Sequence, residues 1–320
     1  MGLTTVAVYN ITIHKRNQSI KDLEVLSDFD FGSDLIELFQ KLPALLNDGT
    51  NTFALFEDKV NQKRLRINTD AFQPFGRCID GELETGDYGV ESIFIDGKGK
   101  DKGTIGKDDS PLMPFYFLCD IPKNEKKGYI LLQRFKQFGV FTLFVKALRG
   151  EFMKTHPEYT ISFDPITSYR EFNRILDDAE IKKVSFQSRD SQQFSNVFRS
   201  TNPNDDFNPA DTYLEVNLVA KRNKKINLMN SVRKIISSDK AKVDSYFQVS
   251  GLANVPLKVY FKANGRPYVL DTTHMDNFSP DIDISHLVKI NSKGFPELAD
   301  IKKASIKLLS DIKAEQNNKR

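Results

Sequence analysis

The chain has 320 residues, 39% hydrophobic and 28% charged, with a net charge of only +3. That length suits about two domains with a sizeable core, and the composition excludes a disordered or fibrous chain. A charge this close to balance excludes a protein that is basic throughout, and no apolar run approaches the roughly 18 to 20 residues needed to cross a bilayer. A soluble, cytoplasmic protein without membrane insertion is therefore expected. Cys78 and Cys119 are the only cysteines and form no CxxC, which points to reduced packing residues and away from zinc or disulfides. Val6 stands where a myristoylation signal after Met1-Gly2 needs Ser or Thr.

In chain order, TTVAVYNITIH (4–14) alternates like a strand, and SDLIELFQKLPALL (33–46) predicts a helix opened by Ser33 and Asp34. Strand-like pieces follow at 52–58, 63–68, 88–96, 114–120 and 129–135. The segment IPKNEKKG between the last two reads as a polar turn. The period then changes. GVFTLFVKALRGEFMKTHP (139–157) places Val140, Phe141, Phe144, Ala147 and Leu148 on one stripe, predicting a core-facing helix that ends at Pro157. The second half repeats strand, helix, strand: YTISFD, SYREFNRILDDA and IKKVSFQS (159–188), then TYLEVNLVAK, a helix near 226–238 and VDSYFQVSG (212–251). Between these units, 188–211 reads as a long exposed loop. VPLKVYFKANGRPYVLD (255–271) alternates on both sides of Asn264-Gly265, a hairpin-turn dipeptide. A last helix from Glu297 carries Leu298, Ile301, Leu308, Leu309 and Ile312 inward and Lys302, Lys303, Lys307 and Lys313 on its wet side.

These elements predict an α+β fold of mixed or antiparallel sheets with helices on one face, and two βαβ-like units in the C-terminal half. The expected division is an N-terminal lobe, 1–157, ending in the apolar helix, and a C-terminal lobe, 158–320, holding a basic helix, the hairpin and the terminal helix.

The charge is concentrated. Residues 221–242 carry eight cations against Asp239 alone, a local net charge of +7 in a chain that is net −4 elsewhere. Lys221, Arg222, Lys224 and Lys225 precede the helix expected near 226, where the helix's own positive end disfavours cations. Backbone N–H groups and four cations converging at a helix start would suit a phosphate. Arg233 and Lys234 continue the charge along the helix. Lys258, Tyr260 and Lys262 alternate onto one face of the hairpin strand, with Arg266 and Tyr268 placed to answer them from its partner. Cations interleaved with tyrosines suit contacts to a phosphate backbone and to bases together. The candidate nucleic-acid-binding residues are thus Lys221, Arg222, Lys224, Lys225, Arg233, Lys234, Lys258, Tyr260, Lys262 and Arg266.

Other motifs carry less chemistry. DGKGKDKGTIGKDDS (96–110) lacks the first glycine and the Ser/Thr of a phosphate loop and reads as a charged hairpin loop. Asp48, Glu57 and Lys59 have the residue types of a metal-dependent nuclease, and Asp271, His274, Asp276, Asp281, Asp283 and His286 form the densest His/Asp group. The second group lacks a helical His pair or a calcium-loop pattern, so turn-forming aspartates account for it. His14 and His156 have no evident nucleophile partner. No catalytic residue, metal or cofactor is assigned.

ISFDPITSYREFNRILDDAEIKKVSFQSRD, the strand into VAKRNKKINLMNSVRKII, LDTTHMDNFSPDIDISHLVKI and the closing ADIKKASIKLLSDIKA resemble, in the order of their elements, RexA-like phage-exclusion proteins and related bacterial defence proteins. FYFLCDIPKNEKKGYILLQRFKQFGVFTLFVKAL is similar too, so the likeness spans about residues 110–315. It implies a dimeric DNA-binding α+β protein of anti-phage defence, acting as sensor or partner of a separate effector. It carries no motif from which a residue's role can be transferred. The expectation is a protein that binds nucleic acid, DNA above RNA, without strong sequence preference. A metal-dependent nuclease and a protein-interaction or regulatory subunit are the alternatives.

Overall fold

The computed structural model describes residues 3–47, 53–166, 169–188, 214–237, 257–263, 266–271 and 281–317. The chain forms two compact units, one of Met1–Ile166 with Asp281–Arg320 and the other of Thr167–Pro280. This moves the expected division at 157/158. The strand at 159–165 and the terminal helix both belong to the larger unit, because their apolar faces are completed by its first strand.

The larger unit is built on an antiparallel sheet. Its strands are β1 (Thr4–Lys15), β2 (Ala54–Asp58), β3 (Lys63–Phe75), β4 (Cys78–Asp87), β7 (Met113–Asp120), β8 (Gly128–Phe135) and β10 (Tyr159–Pro165). They run in the order β10-β1-β8-β7-β4-β3-β2. Two short strands complete it: β9 (Phe138–Gly139) pairs with β8, and β15 (Ile282–Asp283) pairs with β1. Strand alternation divides the side chains between two cores. Ile11, Ile13, Leu83, Phe115, Phe117, Ile130 and Leu132 face helices α1 (Leu35–Leu45) and α2 (Phe141–Thr155). Val6, Val8, Tyr116, Leu118, Tyr129 and Leu131 face the terminal helix α5 (Leu298–Asn317). Helices therefore cover both faces of this sheet, not one, because the central strands are apolar on both sides.

Asp34 is the N-cap of α1, its Oδ1 accepting from the Ile36 N–H at 3.1 Å and from Arg77 Nη2 at 2.9 Å. β4 was not expected from the sequence, since its acidic and glycine residues hide a strand signal. Gly81 is required there by close approach, as a Cβ would come within 2.9 Å of the Ala71 carbonyl and 3.0 Å of the Phe117 ring. The 96–110 segment, read as a hairpin loop, holds the turn and the second strand of a hairpin in which β5 (Ser92–Ile95) pairs with β6 (Asp101–Ile105).

Lys302 and Lys313 do not simply line a wet face. Their ammonium groups lie 2.8 Å from Asp80 Oδ2 and 2.6 Å from Asp120 Oδ2, both carboxylates being buried. Tyr116 donates to Asp80 Oδ2 at 2.9 Å, and the Cys78 thiol donates to Asp120 Oδ1 at 3.1 Å. Burial, reinforced by that contact to Asp120, pushes the Cys78 thiol up to about 12.

The smaller unit is an antiparallel sheet of β11 (Glu180–Ser188), β12 (Leu214–Val219), β13 (Leu257–Ala263) and β14 (Arg266–Asp271), ordered β12-β11-β13-β14. Helices α3 (Tyr169–Asp177) and α4 (Met229–Ser237) contribute Ile175, Leu176 and Val232 to a core with Ile181, Val184, Phe186, Val259, Phe261 and Leu270. The first expected βαβ-like unit is split, since β10 pairs with β1 in the larger unit while β11 pairs with β12 and β13 here. In the second, the expected return strand at 243–251 lies outside the described residues, as do the 189–211 loop and Asn264-Gly265. The whole is an α+β protein dominated by antiparallel sheet. Among the described residues no helix is long and apolar enough to cross a membrane.

Candidate nucleic-acid interface

The basic stretch begins where β12 ends. The Ala220 N–H donates to the Lys182 carbonyl at 2.8 Å and the Ile226 N–H to the Ile181 carbonyl at 2.9 Å, so β11 holds both ends of the 220–226 segment. Between them the chain turns tightly. Lys224 N–H donates to the Lys221 carbonyl at 2.9 Å, and Asn223 adopts φ 59°, a left-handed conformation that asparagine tolerates better than most residues. Residues 221 to 225 are all exposed. The four cations thus project from a turn clamped at both ends.

The helix starts later than expected. α4 begins at Met229, because Ile226 is spent on the bridge to Ile181 and its side chain packs against the core. Lys221, Arg222, Lys224 and Lys225 consequently do not crowd a helix N-terminus, and a phosphate at the helix end is replaced by a cationic turn beside the sheet. Arg233 does lie on α4, where its Nη2 is 2.6 Å from Asp177 Oδ1 of α3. The side chains of Lys234 and Arg266 lie outside the described residues.

The sheet extends the positive region. Lys258, Tyr260 and Lys262 share the face turned away from the core, whereas Leu257, Val259, Phe261 and Ala263 point into it. Tyr268 does not answer them. It pairs with Phe261 across the strands and stacks on it at 5.4 Å, on the helix-covered face. Two lysines that sequence reading passed over join instead. A bulge in β11 between Ile181 and Lys183 leaves Lys182 unpaired and sets Lys183 opposite Tyr260, with its ammonium 4.8 Å from the ring centroid. Their signal was the paired lysines in IKKVSF, but which one faces outward depends on a bulge that no periodicity reveals.

Three carboxylates lie among these cations. Glu180 stands opposite Lys262 in register and 2.7 Å from Lys182, and it is held below the usual carboxylate range by that hydrogen bond, with smaller contributions from Lys225 and Lys262. Glu215 accepts from Ser185 at 2.8 Å, Lys183 at 3.2 Å and Gln187 at 3.4 Å, which lowers its pKa to about 2, the Ser185 bond contributing most. Asp271 lies 3.6 Å from Lys258. Among the described residues no carboxylate comes within ion-pair distance of Lys221, Arg222, Lys224, Lys225 or Lys262.

The motifs considered for bond cleavage are differently arranged. Glu57 accepts from Arg64 Nε at 3.1 Å and Nη2 at 2.9 Å, while Asp48 lies outside the described residues. Asp58, not Glu57, is the deeply buried acid there. Lys146 at 2.7 Å and Asn61 at 2.8 Å satisfy it, and they lower its pKa to about 2, the Lys146 hydrogen bond most of all. In the His/Asp group, His274 and Asp276 lie outside the described residues. Asp271 belongs to the smaller unit, while Asp281 pairs with Arg134 at 2.9 Å and Asp283 accepts from the Ser285 N–H at 2.9 Å in the larger. Among the described residues no group of three or more His, Cys, Asp or Glu side chains could hold a metal ion.

Fold and surface define an α+β protein with a cationic turn at one end of a small antiparallel sheet. No protein-family model and no curated protein matches the sequence.

Proposed function

We propose that this chain is a nucleic-acid-binding protein without catalytic activity of its own, and that the cationic turn of its smaller unit is the binding surface. The observation that supports this most is the set of five cations lacking a carboxylate partner among the described residues, gathered in a chain that is net acidic elsewhere. Such charges take up phosphate by releasing counterions, without reading base sequence. The resemblance to phage-exclusion proteins supplies the setting: a dimeric component of bacterial anti-phage defence, acting as sensor or partner of a separate effector.

A gel-shift titration tests the binding. The native chain is expected to shift nucleic acid and leave it intact with Mg²⁺ present, and Lys224→Glu with Lys225→Glu to abolish the shift while circular dichroism stays unchanged. Unaltered affinity in that variant refutes the assignment, and cleavage of the probe by the purified native chain replaces it with a nuclease.

A further inference from the structure

The sheet face beside the cationic turn has a composition that charge binding alone does not require. Strand register places four residues in one row across it: Val219 of β12, Lys183 of β11, Tyr260 of β13 and Val269 of β14. Val219 is 62% exposed and Val269 46%; the inward neighbour of Val269, Leu270, is buried, whereas β12 leaves Val216 and Leu218 exposed as well. The next row carries Glu180 and Lys262, with the turn at that same end of β11. The two helices of the described unit pack on the opposite face, through the core of Val184, Val259 and Phe261. The group over the Tyr260 ring is a lysine ammonium that also contacts Glu215, not a packed apolar side chain. An incoming planar group can take its place, and the displaced ammonium then meets a phosphate.

A row of two exposed valines and a tyrosine, with Lys183 within it and Lys262 in the next row, matches a polyanion whose flat apolar groups are exposed. We infer that this face binds single-stranded nucleic acid, with an unpaired base stacked on Tyr260, aliphatic support from Val219 and Val269, and the backbone along Lys262 and the turn. The inference rests on the nucleic-acid reading above and narrows it. In a duplex the base faces are stacked on one another and closed to Tyr260. Four strands about 4.8 Å apart also span about 14 Å between their outer axes, too broad for a major groove of about 12 Å. An unpaired strand has neither restriction, and stacking on an aromatic tolerates any base.

Fluorescence anisotropy tests this with labelled single-stranded DNA, single-stranded RNA and duplex DNA of about a dozen nucleotides, within the site sizes of known sheet platforms. The native chain should bind one or both single strands at least about 10-fold tighter than the duplex, and the tighter of the two identifies the sugar. Tyr260→Ala should weaken single-strand binding by about 10-fold, as loss of one base stack does, and Tyr260→Phe should retain it. Tyr260 lies outside the apolar core, so these variants are expected to keep the native unfolding transition. Duplex binding equal to or tighter than single-strand binding overturns the inference, as does single-strand binding that Tyr260→Ala leaves unchanged. In both cases the reading of the cationic turn survives. Absence of binding to all three probes overturns that reading and the inference together.

Discussion

Replacing Lys224 and Lys225 by glutamine removes two of the five cations without a carboxylate partner among the described residues. The turn itself is kept by its backbone bonds to β11. On a single strand each neutralised phosphate contributes about −0.7 to the slope of log affinity against log salt, so five cations give about −3.5 and three about −2. Raising salt from about 50 to about 200 mM should weaken the native chain by about 100-fold and the variant by only about 20-fold. Anisotropy titrations at four or five salt concentrations read both slopes, and on a duplex the coefficient is about −0.9 per phosphate, giving a steeper native slope near about −4.5. A native slope near zero, or one that the double substitution leaves alone, refutes the counting of these cations as phosphate contacts.

The remaining predictions concern the frame that carries this surface. Lys313→Met should destabilise the larger unit by about 2 kcal/mol in urea unfolding, since it strands a buried Asp120; the value is on the low side because Lys313 keeps more than a third of its side chain in water. Adding Asp120→Asn should recover part of the loss. Phe117→Ala, which removes a fully buried ring 5.6 Å from both Phe72 and Phe144, should cost about 3 to 5 kcal/mol by the same assay. Asp58 and Glu215 both titrate near about 2 when folded, against ordinary values of 3.8 and 4.5. Folding therefore favours their ionised forms. Their contribution is complete above about pH 4.5 and is lost as pH falls towards about 2, so Asp58→Asn should flatten the acid limb of a circular-dichroism stability profile. Cys78 and Cys119, both raised by burial, should resist a thiol reagent at pH 8 until denaturant is added.

Periodicity carried much of the fold. The alternation in 4–14 and in 114–135 identifies the strands at the centre of the larger sheet, and the stripe from Val140 to Leu148 identifies the face of α2 that meets them. β4 escaped because CIDGELETGD places Asp80, Glu82 and Glu84 on one side, while on the other Gly81 interrupts Ile79 and Leu83. Only the tertiary context supplies the close contacts that make Gly81 suitable and the partners that neutralise Asp80. The covering of both sheet faces was also hidden, because α5 is separated in sequence from the strands it covers. In the candidate surface the cations were legible as a local excess, and the common face of Lys258, Tyr260 and Lys262 followed from strand alternation. The late start of α4 and the outward aim of Lys183 were not, since a bridge to Ile181 and a one-residue bulge decide them.

The larger unit is interrupted between β10 and β15 by the whole of the smaller one. β1 pairs with β15, and the face made by Val6, Val8, Tyr116, Leu118 and Leu131 is covered by Ile282, Ile284 and α5, all of which follow the smaller unit in the chain. A ribosome adding about 5 to 20 residues per second needs roughly ten seconds to deliver the intervening segment. For that interval the smaller unit can gather its own core while the apolar underside of the larger sheet stands bare. The newborn chain is therefore exposed to aggregation on that face while the smaller unit is being made, and β1 waits there for a helix synthesised well over a hundred residues after it.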